Sequence, residues 1–249
     1  FFVCAYSLET GAELWRQGSV GYTPVSSPVV WERKEGALLF ASVPFHAEGG
    51  AMPSFETLSA GDTNKDGKLT KSELAGSDMA DHFGWADANQ DAFIDATEWA
   101  FIADGMSSKD YGLVAFGIED GAKGASELWR HKRALPSIAT PLLADGILYL
   151  VKSGGMLTTL DAASGKELGF QRLEEAAGEY DASPIAADGK LFLASQEGRI
   201  TVLAAGTEPK VLSQCDLGEP IHGTPALGGG ALFVRTDAAL YCFAGAKKK

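Results

Sequence analysis

The chain has 249 residues, 45% of them hydrophobic and 22% charged, with a formal net charge of −12. That length can bury a sizeable core and hold one large domain or two modest ones. The acidic balance argues against nucleic acid and anionic membrane surfaces as partners, and no apolar run approaches the roughly 20 residues of a transmembrane helix.

The chain opens Phe1-Phe2-Val3-Cys4-Ala5-Tyr6, with neither an initiator Met nor the pattern of a secretory signal. It reads as though entered in the middle of a strand, so the expectation is a fragment or processed form of something longer. Ala5-Tyr6-Ser7-Leu8-Glu9-Thr10-Gly11-Ala12-Glu13-Leu14-Trp15 follows as strand, turn and strand. Then come Ser26-Ser27-Pro28-Val29-Val30 and a β-rich run at 37–43.

Residues 62–73 match a twelve-residue calcium loop at every diagnostic position. Asp62, Asn64 and Asp66 place hard oxygen donors at positions 1, 3 and 5, and Gly67 at position 6 allows the sharp turn. The backbone carbonyl of Lys68 serves position 7, Thr70 stands at position 9, and Glu73 supplies two carboxylate oxygens at position 12. Calcium takes six to eight oxygens at about 2.3–2.6 Å, and this alternation of residue types suits it.

A second copy covers 87–98, with Asp87, Asn89 and Asp91 at positions 1, 3 and 5, the carbonyl of Phe93 at position 7, Asp95 at position 9 and Glu98 at position 12. Ala92 replaces the glycine of position 6, where a positive φ costs a residue with a Cβ about 1 kcal/mol or more. Asp95 adds a carboxylate that the first loop lacks. Two Ca²⁺ sites are expected, the first less strained.

Leu69 and Ile94 occupy position 8, where paired loops exchange a short β contact. Leu58 and Phe83 stand four residues before a loop, and Leu74 and Trp99 directly after one. That spacing predicts one apolar face on short entering and leaving helices, with Gly76-Ser77 as a helix break and a new N-cap. The segment resembles the compact EF-hand pairs of many bacterial extracytoplasmic proteins.

Beyond this segment a unit of about forty residues recurs. Its marker is a proline before an apolar strand: Ser27-Pro28, Thr140-Pro141, Ser183-Pro184 and Thr224-Pro225, the last three prolines being 43 and 41 residues apart. Short strands at that period predict four-stranded all-β units repeated around an axis, as in a propeller. The period between Pro28 and Pro141 stretches to 113 residues. Matching 37–43 to 147–151 and 112–116 to 156–160 makes 44–111 an insertion in a hairpin, a place where extra length is tolerated. The expected organisation is therefore propeller units at 1–43 and 112–249, forming part of a ring, with the EF-hand pair at 44–111 between them.

The turn before Trp15 recurs at Thr159–Phe170, and Glu127-Leu128-Trp129 repeats its end. This pattern resembles the tryptophan-docking repeat of pyrroloquinoline-quinone-type propellers, a family with quinoprotein dehydrogenases and outer-membrane assembly lipoproteins among its members. The resemblance implies that Trp15, Trp129 and Phe170 pack between units. It covers nearly all residues outside 44–111, and rings of this family usually have seven or eight units. Here a half unit, three full ones and an incomplete one are legible, and the last stops at Tyr241-Cys242-Phe243 without an outermost strand. The missing material is expected upstream.

Cys4, Cys215 and Cys242 sit at no metal-like spacing and argue against a disulfide framework, one bridge staying open. His46, His82, His131 and His222 are scattered and read as surface or packing residues. No Gly-x-Ser-x-Gly elbow, phosphate loop or His-Glu-x-x-His is present. The reading is a non-catalytic, calcium-binding interaction scaffold with a protein partner. The alternative is a fragment of a quinoprotein dehydrogenase, although the vicinal Cys-Cys pair that the resemblance implies for such an enzyme is not in this chain. Millimolar calcium outside cells suits loops of this build, so with the resemblance the expected location is extracytoplasmic, periplasmic or secreted, in a bacterium.

Overall fold

Among the described residues every strand pairs antiparallel with its neighbour in sequence, so the topology is a run of meanders. The structure is a computed structural model that describes residues 2–18, 25–44, 53–107, 110–119 and 124–245. Phe1, His46 and both edges of the expected 44–111 insertion lie partly or wholly outside these. The chain divides into two compact units, His46–Asp110 and Phe2–Phe45 with Tyr111–Lys249.

In the larger unit β1 (Phe2–Tyr6) pairs with β2 (Glu13–Gly18). Three four-stranded sheets follow. The first holds β3 (Val29–Trp31), β4 (Leu38–Val43), β5 (Gly112–Ile118) and β6 (Ala125–His131). The second holds β7 (Leu142–Ala144), β8 (Ile147–Lys152), β9 (Met156–Asp161) and β10 (Glu167–Arg172). The third holds β11 (Ile185–Ala187), β12 (Lys190–Ala194), β13 (Arg199–Ala204) and β14 (Lys210–Asp216). The last described sheet has β15 (Ala226–Gly228), β16 (Ala231–Arg235) and β17 (Leu240–Ala244).

The middle strands are largely apolar and buried along most of their length rather than alternating, because a sheet packed on both faces buries both sides of each strand, Ser42, Thr158 and Thr159 included. All of β4 is buried, and so are Leu148–Val151 of β8. Leu38, Phe40, Leu113 and Ala115 meet Leu148, Leu150 and Leu160 between the first and second sheets. Tyr149, Val151 and Leu157 meet Leu191, Leu193 and Leu203 between the second and third.

The residue before each repeated proline has a task that sequence alone does not disclose. Proline pushes its predecessor into extended backbone, and there the Ser27 N–H donates to Thr140 Oγ1 at 3.1 Å. The Thr140 N–H donates to Ser183 Oγ at 2.9 Å, and the Ser183 N–H to Thr224 Oγ1 at 3.0 Å. One hydroxyl per repeat thus ties each sheet to the next.

Trp129 ends the cross-strand row Phe40–Ala115–Trp129 of the first sheet, which corresponds to Tyr149–Thr159–Gly169 in the second. Phe170, expected to dock like Trp129, stands one residue further on, in the row of Leu150 and Thr158, so its side chain takes the opposite face. Trp129 reaches the β9–β10 turn, where Nε1 donates to Ala163 O at 3.2 Å. The indole lies against Gly165 (φ +71°), and a Cβ there would come within 2.5 Å of the ring. In the third sheet the row is Phe192–Val202–Ser213, with no aromatic at its end. A cavity of about 710 Å³ opens beside it toward the last sheet, lined by Phe192, Val202, Cys215, Leu232 and Phe243 among others.

In the smaller unit α1 (Phe55–Leu58), α2 (Phe83–Ala86) and α3 (Ala96–Ser107) surround a core of Leu69, Leu74, Phe83, Ile94, Trp99 and Ile102. Ser54 caps α1 by accepting from the Thr57 N–H. Two local expectations are corrected. No α-helix leaves the first loop, since residues 71–76 form turns that end at Gly76 (φ +86°) after too few residues to propagate. Ser77 precedes a 3₁₀ turn (Asp78–Ala80) without capping it, because its hydroxyl donates backward to Leu74 O at 2.7 Å. All three cysteines are free thiols, which removes the bridge left open above.

Candidate metal centre

Val43 at the end of β4 pairs with Gly112 at the start of β5, so both acidic loops lie in the connection between these strands. Their side chains are wired in close parallel. Asp62 Oδ1 accepts from the Lys65 N–H at 2.7 Å and Oδ2 from the Gly67 N–H at 3.0 Å. Asp87 Oδ2 likewise accepts from the Ala92 N–H of position 6, and its Oδ1 takes the Asp91 N–H, one position later than in the first loop, both at 3.0 Å. Asn64 and Asn89 accept from the amides of Asp66 and Asp91, two residues on. Asp66 and Asp91 accept in turn from the amides of Lys68 and Phe93 at position 7.

The glutamates of position 12 close the loops. Glu73 Oε1 accepts from the Thr63 N–H at 3.1 Å, and Oε2 from the Thr70 N–H at 2.9 Å and the Thr70 hydroxyl at 2.8 Å. These donors, Thr70 foremost, hold the Glu73 carboxyl down at about 2. Glu98 repeats the closure with the Ala88 and Asn89 amides on Oε1 and the Asp95 amide on Oε2. Asp95 Oδ1 also accepts from the Thr97 and Glu98 N–H groups at 2.8 and 2.9 Å, opening α3 in the manner of an N-cap.

Backbone conformation repeats with the wiring. φ is positive at Lys65 and Gly67 (+59° and +78°) and at Gln90 and Ala92 (+60° and +69°). A Cβ at Gly67 would meet nothing within 4 Å. By analogy Ala92 carries the backbone cost of about 1 kcal/mol without a steric one. Leu69 and Ile94 exchange two hydrogen bonds of 2.9 Å, an isolated antiparallel bridge, and their side chains are buried. Trp99, directly after the second loop, donates from Nε1 to Pro53 O at 2.8 Å.

The donors present are all oxygens: carboxylates at positions 1, 5 and 12, an amide oxygen at position 3, and a hydroxyl (Thr70) or carboxylate (Asp95) at position 9. That chemistry fits a hard divalent cation and excludes a soft one. The carboxylates are turned to backbone amides, and among the described residues no three His, Cys, Asp or Glu side chains converge as a metal cluster. The fit therefore rests on donor type and loop backbone, with side-chain rotation still required at Glu73 and Glu98.

One side chain escaped the sequence reading. Lys68 enters it only for its carbonyl, yet Nζ stands 3.7 Å from Asp91 Oδ2 and 5.1 Å from the centre of the Phe93 ring, both in the other loop. Only the pairing through Leu69 and Ile94 brings these positions together, and spacing within one loop carries no sign of it.

Comparison with known proteins bears on the strands more than on the loops. A family model described as outer membrane protein assembly factor BamB matches residues 85–249. Among solved structures, BamB from Moraxella catarrhalis is similar at 22% identity, with a TM-score of 0.43 over 53% of this chain and 39% of that one. Quinohemoprotein alcohol dehydrogenase ADHIIG from Pseudomonas putida HK5 is similar at 18% identity, with a TM-score of 0.33 over 39% of this chain and 16% of that one. A europium-containing methanol dehydrogenase gives 16% and 0.34, over 44% and 22%. This chain thus spans well under half of each solved chain. No curated protein matches.

Proposed function

The chain belongs to the family of the outer membrane protein assembly factor BamB, and from that premise we propose that it is a non-catalytic, propeller-like scaffold whose β4–β5 connection carries a calcium-binding EF-hand pair. The observation that carries the calcium reading is the parallel wiring of two loops with different sequences. Positions 1, 3, 5 and 12 hold the same oxygen types, accept from equivalent amides, and are joined at position 8 by one bridge.

In this reading Asp62, Asn64, Asp66, Thr70, Glu73 and the Lys68 carbonyl hold one ion. Asp87, Asn89, Asp91, Asp95, Glu98 and the Phe93 carbonyl hold the other. Calcium supplies a counter-charge to carboxylates gathered in a short loop and draws the two ends of each loop together. Glu73 and Glu98, already bonded to amides at both ends of their loops, need a local rotation to become bidentate ligands.

The scaffold part of the proposal rests on sheets tied through backbone and packed on apolar faces, with free cysteines in separate sheets. Among the described residues no helix is long and apolar enough to cross a membrane. An extracytoplasmic location and a protein partner follow from the family and from the affinity range that such loops reach. Calorimetric titration of chelator-stripped protein with Ca²⁺, and Mg²⁺ as control, tests the reading. Two binding events per chain at micromolar to millimolar Kd are expected, and no heat of binding would leave a plain repeat scaffold.

A further inference from the structure

Lys68 takes part in both loops, and we propose that its ammonium lowers the calcium affinity of the second one, an inference that rests on the reading that these loops take calcium. Its backbone belongs to the first loop, where the N–H donates to Asp66 Oδ1 at 2.9 Å. Its side chain crosses to the second, with Nζ 3.7 Å from Asp91 Oδ2, a ligand oxygen at position 5.

Two features hold the ammonium there. The Leu69–Ile94 bridge sets the loops in register directly beside Lys68 and Phe93. The face of the Phe93 ring, 5.1 Å from Nζ to its centre, attracts the cation from the other side. The arrangement is one-sided, because position 7 of the second loop is the uncharged Phe93. In both loops the position-5 Oδ2 accepts from the side-chain amide of the position-3 asparagine, Asn64 at 2.9 Å and Asn89 at 3.3 Å, so the ammonium at Asp91 is what sets the second loop apart.

The second loop has four carboxylates, Asp87, Asp91, Asp95 and Glu98, against three in the first. Carboxylate count alone makes it the tighter site. The ammonium opposes that. An ion held by Asp91 lies roughly 6 Å from Nζ, where a single positive charge repels a dication by about ten-fold in a water-like dielectric and about three- to four-fold in 0.1 M salt. As an ion pair, Lys68–Asp91 is half-exposed and contributes little to stability. Its effect is felt on binding, where the charge opposed is double.

Calorimetric Ca²⁺ titrations of the wild type, K68Q, K68R and E98Q test this, the event absent in E98Q marking the second loop. K68Q should tighten that event about three- to ten-fold at low salt and leave the other within two-fold. The difference should shrink as KCl rises, and K68R should titrate as the wild type. Two wild-type events with K68Q unchanged would overturn the inference and leave the calcium reading standing. No wild-type binding would overturn that reading, and this inference with it.

Discussion

Replacing Ser213 by tryptophan should stabilise the larger unit, because it puts an aromatic where the first sheet has Trp129 and where the third sheet leaves a cavity open. Ser213 is exposed and stands where Trp129 and Gly169 stand in their rows, and Phe192 and Val202 of its own row line the 710 Å³ cavity. A tryptophan can bury about 150–250 Å². The cavity is open on one side, so about 100 Å² leaves water, worth about 2.5 kcal/mol at 25 cal/mol/Å². Fixing the side chain costs about 1 kcal/mol. The net is about 1.5 kcal/mol, or about 3–6 °C in Tm for a chain of this size.

Thermal unfolding followed by circular dichroism measures the gain, with S213A as a control expected within about 0.5 kcal/mol of wild type. Indole emission reports whether the ring is buried. A Tm unchanged or lowered in S213W, with red-shifted emission, would refute the assignment of the cavity to the missing aromatic.

Three further changes probe the loops and the sheets. E73Q and E98Q should each abolish one calcium event in calorimetry and leave the far-ultraviolet spectrum of the strands unchanged; loss of the whole fold with either would contradict a self-contained loop pair. T140V removes the acceptor of the Ser27 N–H and should cost about 1–2 kcal/mol in urea unfolding, while T140S, which keeps the hydroxyl, should cost under about 0.5. Tyr180 donates its hydroxyl to Ala176 O at 2.6 Å, and burial pushes its pKa up to about 12. The folded value lies above the unfolded one near 10, so this contribution is complete below pH 10 and disappears as pH rises toward 12. The wild type should lose about 2–3 kcal/mol over that interval from this group, and Y180F should not.

The strands were legible in the sequence because their signals are local. Each proline announces a first strand, and the β-rich runs after it become β4, β8, β12 and β16. The proline spacing gives the repeat. What the chain does not advertise are contacts made across repeats: the hydroxyl of Thr140 differs in no local respect from that of any exposed threonine, and its role depends on a partner 113 residues away. Ser213 is similar, since a missing aromatic is visible only once register aligns it with Trp129. In the acidic loops, residue type and spacing foretold the turn at Ala92 and the pairing of Leu69 with Ile94. They could not foretell that 71–76 stops short of a helix, which is decided by Gly76 and the brevity of the segment, or that Lys68 faces the other loop. Whether the twelve candidate positions hold metal is a matter for the titration.

The hydroxyl line through Ser27, Thr140, Ser183 and Thr224 also has a direction. Each repeat presents a backbone donor to the sheet after it and a hydroxyl acceptor to the sheet before it, so its two flanks are chemically unlike. Two copies of the donor flank brought together by a two-fold axis would set backbone donor against backbone donor. Growth along this line is therefore heterologous, in the sense of a head-to-tail assembly whose rotation per step decides between closure and an open spiral. A two-fold dimer through the donor flank would leave those amides without acceptors.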